Sequence, residues 1–224
     1  AMGGLCGGEL LANLPGAIVD PVTLHVGGSS MAWPWNGWYH GIGGTYGSWL
    51  RGDERGWRAR HHREHVDGDY RQPPPPGMYD GLRRQSAGSM KRPPIILAPE
   101  ARRIVAEAML KRLSELGTRV ARLSVGGCHF HVLMRIENPH LAKAGLSEAN
   151  ALPDGRNPLP RHVRGLAKKH ASHVLRERAL KPKGTLWAKR PKIVIVEDRR
   201  HYTWLRDSYL PNHAQQGAVV LPTD

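Results

Sequence analysis

The stretch Arg119-Val120-Ala121-Arg122-Leu123-Ser124-Val125-Gly126-Gly127-Cys128-His129-Phe130-His131-Val132-Leu133-Met134-Arg135-Ile136-Glu137 reads as a β-hairpin. Arg119 to Val125 is one strand, Gly126-Gly127 the tight reversal, and Cys128 to Glu137 the antiparallel partner. At a period of two, Phe130, Val132, Met134 and Ile136 form an unbroken apolar face, while His129, His131 and Arg135 point the other way with Leu133 among them. The core claims the first face and leaves the imidazoles on the second. Two imidazoles about 7 Å apart along a strand can converge on one divalent metal, and a nearby Arg135 favours a phosphate beside it. An H-x-H pair on a strand is equally the pattern of two polar residues on a solvated face, and the pair alone leaves both readings open.

Upstream, a helix begins after Pro99 and runs to Leu116, with Ile104, Val105, Ala108, Met109 and Leu113 on one side and Gly117 as its stop. Downstream, a Pro- and Asn-rich connection over 138–160 leads to a second helix over 161–179. This helix turns Val163, Leu166, Ala167, His170, Val174 and Leu175 inward and Arg161, Arg164, Lys168, Lys169 and Arg176 outward. A strand at 192–196 and a last helix from Asp198 follow. Near the start, Trp38 to Leu50 is aromatic and β-prone, and its glycines predict a kinked or bulged strand. Residues 51–95 read as a long polar loop, of a kind that is functional or disordered in compact domains. The predicted fold class is α+β: a ferredoxin-like antiparallel sheet with its helices on one face.

The chain of 224 residues fits one domain, expected over 33–224, with 1–32 as an atypical, Gly-rich, flexible extension. Lys and Arg number 33 against 19 Asp and Glu, and none of the basic residues falls within 1–32, so a polyanion is the expected partner. No apolar run approaches the roughly 18 residues of a spanning helix, which argues against a membrane. With only Cys6 and Cys128 there is neither a disulfide framework nor a Cys-rich zinc module. An intracellular location, cytoplasmic and nucleoid-associated, is expected.

Gly126 to Leu133 and Asp207-Ser208-Tyr209-Leu210-Pro211-Asn212-His213, together with Gly44 to Leu50 and Leu166 to His173, resemble the single-tyrosine HUH transposases of small insertion sequences. The REP-associated tyrosine transposase branch is the most similar, and the resemblance spans roughly residues 38 to 220. It implies an HUH-endonuclease type of fold, a metal site for Mg²⁺ or Mn²⁺ at His129 and His131, a nucleophile at Tyr209, and a third ligand at His213. Relatives more often carry Gln or Asn at the third position, and the nitrogen donor of His213 favours Mn²⁺ or a later metal over Mg²⁺. Pro211 departs from a regular helix between nucleophile and ligand.

The implied activity is transesterification of single-stranded DNA through a 5′-phosphotyrosine, cleaving and rejoining hairpin-bearing strands as a monomer or homodimer. Two other classes fit the same residues: a replication-initiation nickase or metal-dependent phosphoesterase, and a domesticated, catalytically silent hairpin-binding protein, for which Pro211 is the support. Tyr202, with Arg206 four residues on, is the weaker nucleophile candidate. Lys168, Lys169, His173, Arg135 and Trp49 are candidate DNA contacts; a charged helix face is also simply solvated. Trp38, Trp49 and Trp57 either stack on bases or fill a core that has a single Phe. His61, His62 and His65 have workable metal spacing, in surroundings that suit a solvated DNA-facing patch better.

Overall fold

The computed structural model describes residues 34–57, 65–67, 73–136, 158–189 and 192–222. The expected extension 1–32 and the histidines His61 and His62 lie outside the described residues. The chain divides into two units, Ala1–Ser29 with Trp49–Pro94 and Ser30–Ser48 with Ile95–Asp224.

In the first unit, the stretch expected to be a long loop contains a helix, α1 (Asp80–Gly88). Gly52, at φ +80°, lies so close to the backbone of Tyr79 and Arg83 that any side chain there would collide. Trp57 is buried edge-on against Tyr79, with ring centroids 5.3 Å apart, so of the two roles open to it this residue takes the packing one. Trp49 is 56% exposed, its Nε1 donating to the Gly56 carbonyl at 2.9 Å and the Arg55 guanidinium lying 4.4 Å over its ring.

The second unit carries β1 (Trp38–Gly44), α2 (Pro99–Glu115), β2 (Thr118–Val125), β3 (His129–Ile136), α3 (Pro158–Glu177) and β4 (Lys192–Ile195). Together they follow the β-α-β-β-α-β order of a ferredoxin-like arrangement. A C-terminal helical segment follows: α4 (Arg199–Trp204), a π turn over Leu205–Tyr209, a short α turn over Leu210–Asn212 and a 3-10 turn over His213–Gln216. The chain then adds β5 (Val219–Leu221). The sheet is five-stranded in the order β4-β1-β3-β2-β5, and every neighbouring pair is antiparallel. The hairpin read from the sequence is thus the β3-β2 half of the sheet.

Pro99 opens α2 in its first turn, where its missing N–H costs nothing, and Gly117 at φ +65° ends it. α2 and α3 bury Ile104, Met109, Leu113, Val163, Ala167 and Leu175 against Phe130, Val132 and Met134 of β3. The glycines of β1 do not kink it: the register with β3 runs unbroken from Trp38 opposite Arg135 to Gly44 opposite His129. Gly43 is required because a side chain there would overlap the Phe130 ring, and Gly41 leaves room for Val132 and Arg164.

The other face of the sheet is not open. Leu205 and Leu210 of the C-terminal segment pack on Trp38, Leu133 and Val196, so helical structure covers both faces. The one-sided arrangement read from the sequence is corrected accordingly: Leu133, a lone apolar residue among the histidines, supplies the anchor for that second layer. Arg164, expected outward, is 2% exposed and donates through Nη1 to the Ile42 and Lys192 carbonyls at 3.1 and 2.9 Å, tying α3 to β1 and β4. Burial pushes its pKa down to about 10.

Candidate metal centre

His129 and His131, two residues apart on β3, share a face by strand alternation, and β1 brings His40 to that face because Ile42 pairs with His131 and His40 with Leu133. The C-terminal segment then lays Tyr209 and His213 over them. The ligand nitrogens of His129, His131 and His213 all lie within 4.8 Å of one another, the one such cluster among the described residues. Ring centroids are 5.2 Å apart for His129 and His131, 4.7 Å for His131 and His213, and 5.6 Å for His129 and His213.

Each of the three has its Nδ1 engaged by the protein. That of His129 lies 3.4 Å from Cys128 Sγ, that of His131 2.9 Å from His40 Nε2, and that of His213 2.9 Å from the Tyr209 carbonyl. The last contact has a backbone origin. The His213 N–H turns to the Leu210 carbonyl as the helix tightens to a 3-10 turn, which leaves the Tyr209 carbonyl to accept from the imidazole. For His213, Nδ1 donation to the fixed Tyr209 carbonyl directs coordination to Nε2, and three imidazole nitrogens converging at this spacing fit a divalent transition metal. These residues could hold a metal; its identity is not set by the donor set alone.

Tyr209 sits within this cluster. Its ring is 4.9 Å from that of His213, 5.5 Å from His131 and 5.9 Å from His40, and it stacks on Trp204 at 4.8 Å with 28° between planes. Tyr202 lies elsewhere, against Trp35 and Trp38 at 5.4 and 4.8 Å, with the Arg206 guanidinium over its ring. Pro211 does not end the helix. The π turn before it, closed by Leu210 N–H donating to Leu205 O, widens the backbone where the proline ring would otherwise strike the preceding turn.

The expected DNA contacts disperse. Lys168, Lys169 and His173 lie on α3, on the sheet face opposite the histidines. Lys168 is not on a solvated face as expected: it is half-buried, 5.6 Å from the Trp187 ring centroid, donates to the Ala188 carbonyl at 3.3 Å, and burial lowers its pKa to about 8. His173 is exposed and bridged to Glu177 at 3.0 Å, and Lys169 is exposed. Arg135 is on the histidine face but about 13 Å farther along β3 than His131. Trp49 belongs to the other unit. Trp38 is buried, in the aromatic cluster with Tyr202.

Sequence reading missed His40 and Trp204. Alternation within Trp38-Tyr39-His40-Gly41-Ile42 puts His40 on one strand face, but which strand lies beside it is a tertiary fact. For Trp204, the spacing of five residues to Tyr209 gives no contact on a regular α-helix; the π turn supplies it.

Burial dominates the electrostatics. His40 is 4% exposed and His131 6%. Desolvation, reinforced by His201, Lys192 and His213, pushes the His40 pKa from 6.5 down to about 3. Desolvation, then His40, His129 and His213, holds that of His131 well below 6.5. Both imidazoles take up a proton near 6.5 in the unfolded chain and only at much lower pH in the folded one. Stability of the metal-free protein is therefore fully present above that value and falls as pH drops below it, for His40 down to about 3. The expected slope is up to about 1.4 kcal/mol per pH unit for each imidazole. Urea denaturation at pH 7.5 and 5 measures it, and equal stability at the two pH values would contradict the buried, neutral state of the pair.

Neither the family models nor the curated proteins searched contain a match to this chain. No helix among the described residues is long and apolar enough to cross a membrane.

Proposed function

We propose that this chain is a metal-dependent single-stranded DNA transesterase of the HUH type, a transposase-like strand transferase that works through a 5′-phosphotyrosine. The observation that carries the reading is the Tyr209 ring packed 4.9 to 5.5 Å from two of the three clustered histidines. His129, His131 and His213 would hold Mn²⁺ or Mg²⁺, which when bound neutralises charge on a scissile phosphate. Tyr209 Oη attacks phosphorus and gives up its proton; the bond from phosphorus to the 3′ oxygen breaks; that oxygen takes up a proton and leaves as a free 3′-OH. The phosphotyrosine keeps the ester bond available for rejoining, so no nucleotide cofactor is required.

Tyr209 and the three histidines lie together within one chain, which supports cleavage by a monomer. A phosphoesterase that uses water has no need of a tyrosine in this position, and the π turn that accommodates Pro211 supports an active site over a silent one. The formal charge of +14 supports a nucleic-acid partner. A location in the cytoplasm, at the nucleoid, belongs to the same reading.

The test of the activity is incubation with Mn²⁺ and the single strands flanking the gene, followed by denaturing electrophoresis for a covalent protein–DNA band. Binding itself is expected to favour hairpins with unpaired flanks over a duplex of equal length, because Trp49 is 56% exposed and stacking of a base on an aromatic ring contributes ~1–3 kcal/mol. Affinity should fall steeply with salt. Gel-shift titrations at two salt concentrations check this, and equal affinity for hairpin and perfect duplex at physiological salt would refute it.

A further inference from the structure

Of the three clustered histidines, His129 has a thiol beside its Nδ1 and His213 a backbone carbonyl, whereas His131 faces a second imidazole. A carbonyl can only accept. An imidazole nitrogen accepts or donates according to its tautomer, so the His40–His131 contact exists in two forms. In one, His131 Nδ1–H donates to His40 Nε2 and leaves the His131 Nε2 lone pair for a metal. In the other, His40 Nε2–H donates to His131 Nδ1, and the proton on His131 Nε2 blocks coordination.

We propose that His40 is a positioning residue for the metal centre: it accepts the Nδ1 proton of His131 and so fixes the Nε2-coordinating form and the ring orientation of that ligand. The inference rests on the metal-centre reading above and adds to it a residue outside the ligand set. The nitrogens are 2.9 Å apart and the rings nearly parallel, 28° between planes with centroids at 5.1 Å. His40 reaches His131 diagonally across the β1–β3 ladder, since its direct partner is Leu133. At 4% exposure, His40 has little access to water as an alternative partner. The Tyr209 ring, 5.9 Å from that of His40, closes the same pocket.

The experiment uses the full chain without DNA and reads Mn²⁺ affinity by the electron paramagnetic resonance signal of free Mn²⁺, so strand cleavage does not enter. His40→Gln places an amide oxygen near the position of Nε2 and should bind Mn²⁺ within about threefold of wild type, whereas His40→Leu and His40→Phe should bind about 10- to 100-fold more weakly. Thermal melts of the metal-free variants separate this from a packing role, under which affinity would follow stability rather than the presence of an acceptor. Equal affinity of wild type, Gln and apolar variants overturns the assignment of His40 and leaves the metal centre intact. No Mn²⁺ binding by wild type overturns both. A measurement that needs no variant guards against failure of the apolar replacements to fold: long-range ¹H–¹⁵N correlation of the wild-type protein loaded with diamagnetic Zn²⁺. It should show His131 protonated at Nδ1 with its Nε2 coordinated; coordination through Nδ1 overturns the proposal.

Discussion

Tyr209→Phe is expected to eliminate the covalent protein–DNA adduct and strand cleavage, by on the order of 10⁴-fold or more, while leaving Mn²⁺ and hairpin binding near wild type. The substitution removes one oxygen and keeps the ring, so the stack on Trp204 at 4.8 Å and the edge contacts with His131 and His213 persist. Stability should change by less than about 1 kcal/mol, since the half-buried ring keeps its packing. Tyr202→Phe is the control: it sits against Trp35 and Trp38, not beside the histidines, and should leave cleavage intact. An adduct that survives Tyr209→Phe and disappears in Tyr202→Phe would reverse the assignment.

His129→Ala and His131→Ala should each abolish metal-dependent cleavage, yet their stabilities should differ. His129 is half-buried, so its replacement is expected to be close to neutral for the metal-free fold. His131, only 6% exposed and bonded to His40, should cost about 1–3 kcal/mol on truncation, because His40 Nε2 loses its partner in a dry site. The solvated-face reading of the H-x-H pair therefore fails for His131, which the C-terminal segment covers. His213→Ala should weaken metal use less, with two protein ligands retained, and His213→Gln, an oxygen donor, should shift preference from Mn²⁺ toward Mg²⁺. Mn²⁺ and Mg²⁺ titrations of cleavage, paired with urea melts of the metal-free variants, read these effects; full cleavage by His131→Ala at limiting metal would exclude that ligand.

Strand and helix periodicity is local, and it is legible in the residues themselves. Alternation across residues 128–136 separates Phe130, Val132, Met134 and Ile136 from His129 and His131, and a shift of register by one residue would bury the wrong set. Pro99, Gly117 and Asp198 mark helix ends because capping and backbone freedom act over a single turn. The four-residue spacing of Tyr209 and His213 likewise predicts a shared face, on the condition that one helix runs through both.

What lies opposite each face follows from long-range packing, which no local pattern encodes. His40 and His131 are 91 residues apart, and their contact depends on β1 pairing with β3. The covering of the histidine face depends on Leu205 and Leu210 finding Leu133. The passage of a helix through Pro211 depends on a π turn that no local propensity favours. Lys168 shows the same limit from the other side: its charge pattern marks a solvated face, yet Trp187 and the Ala188 carbonyl claim its side chain. Local periodicity constrains which way a side chain points, whereas the desolvation that sets its chemistry comes from whichever distant segment packs over it.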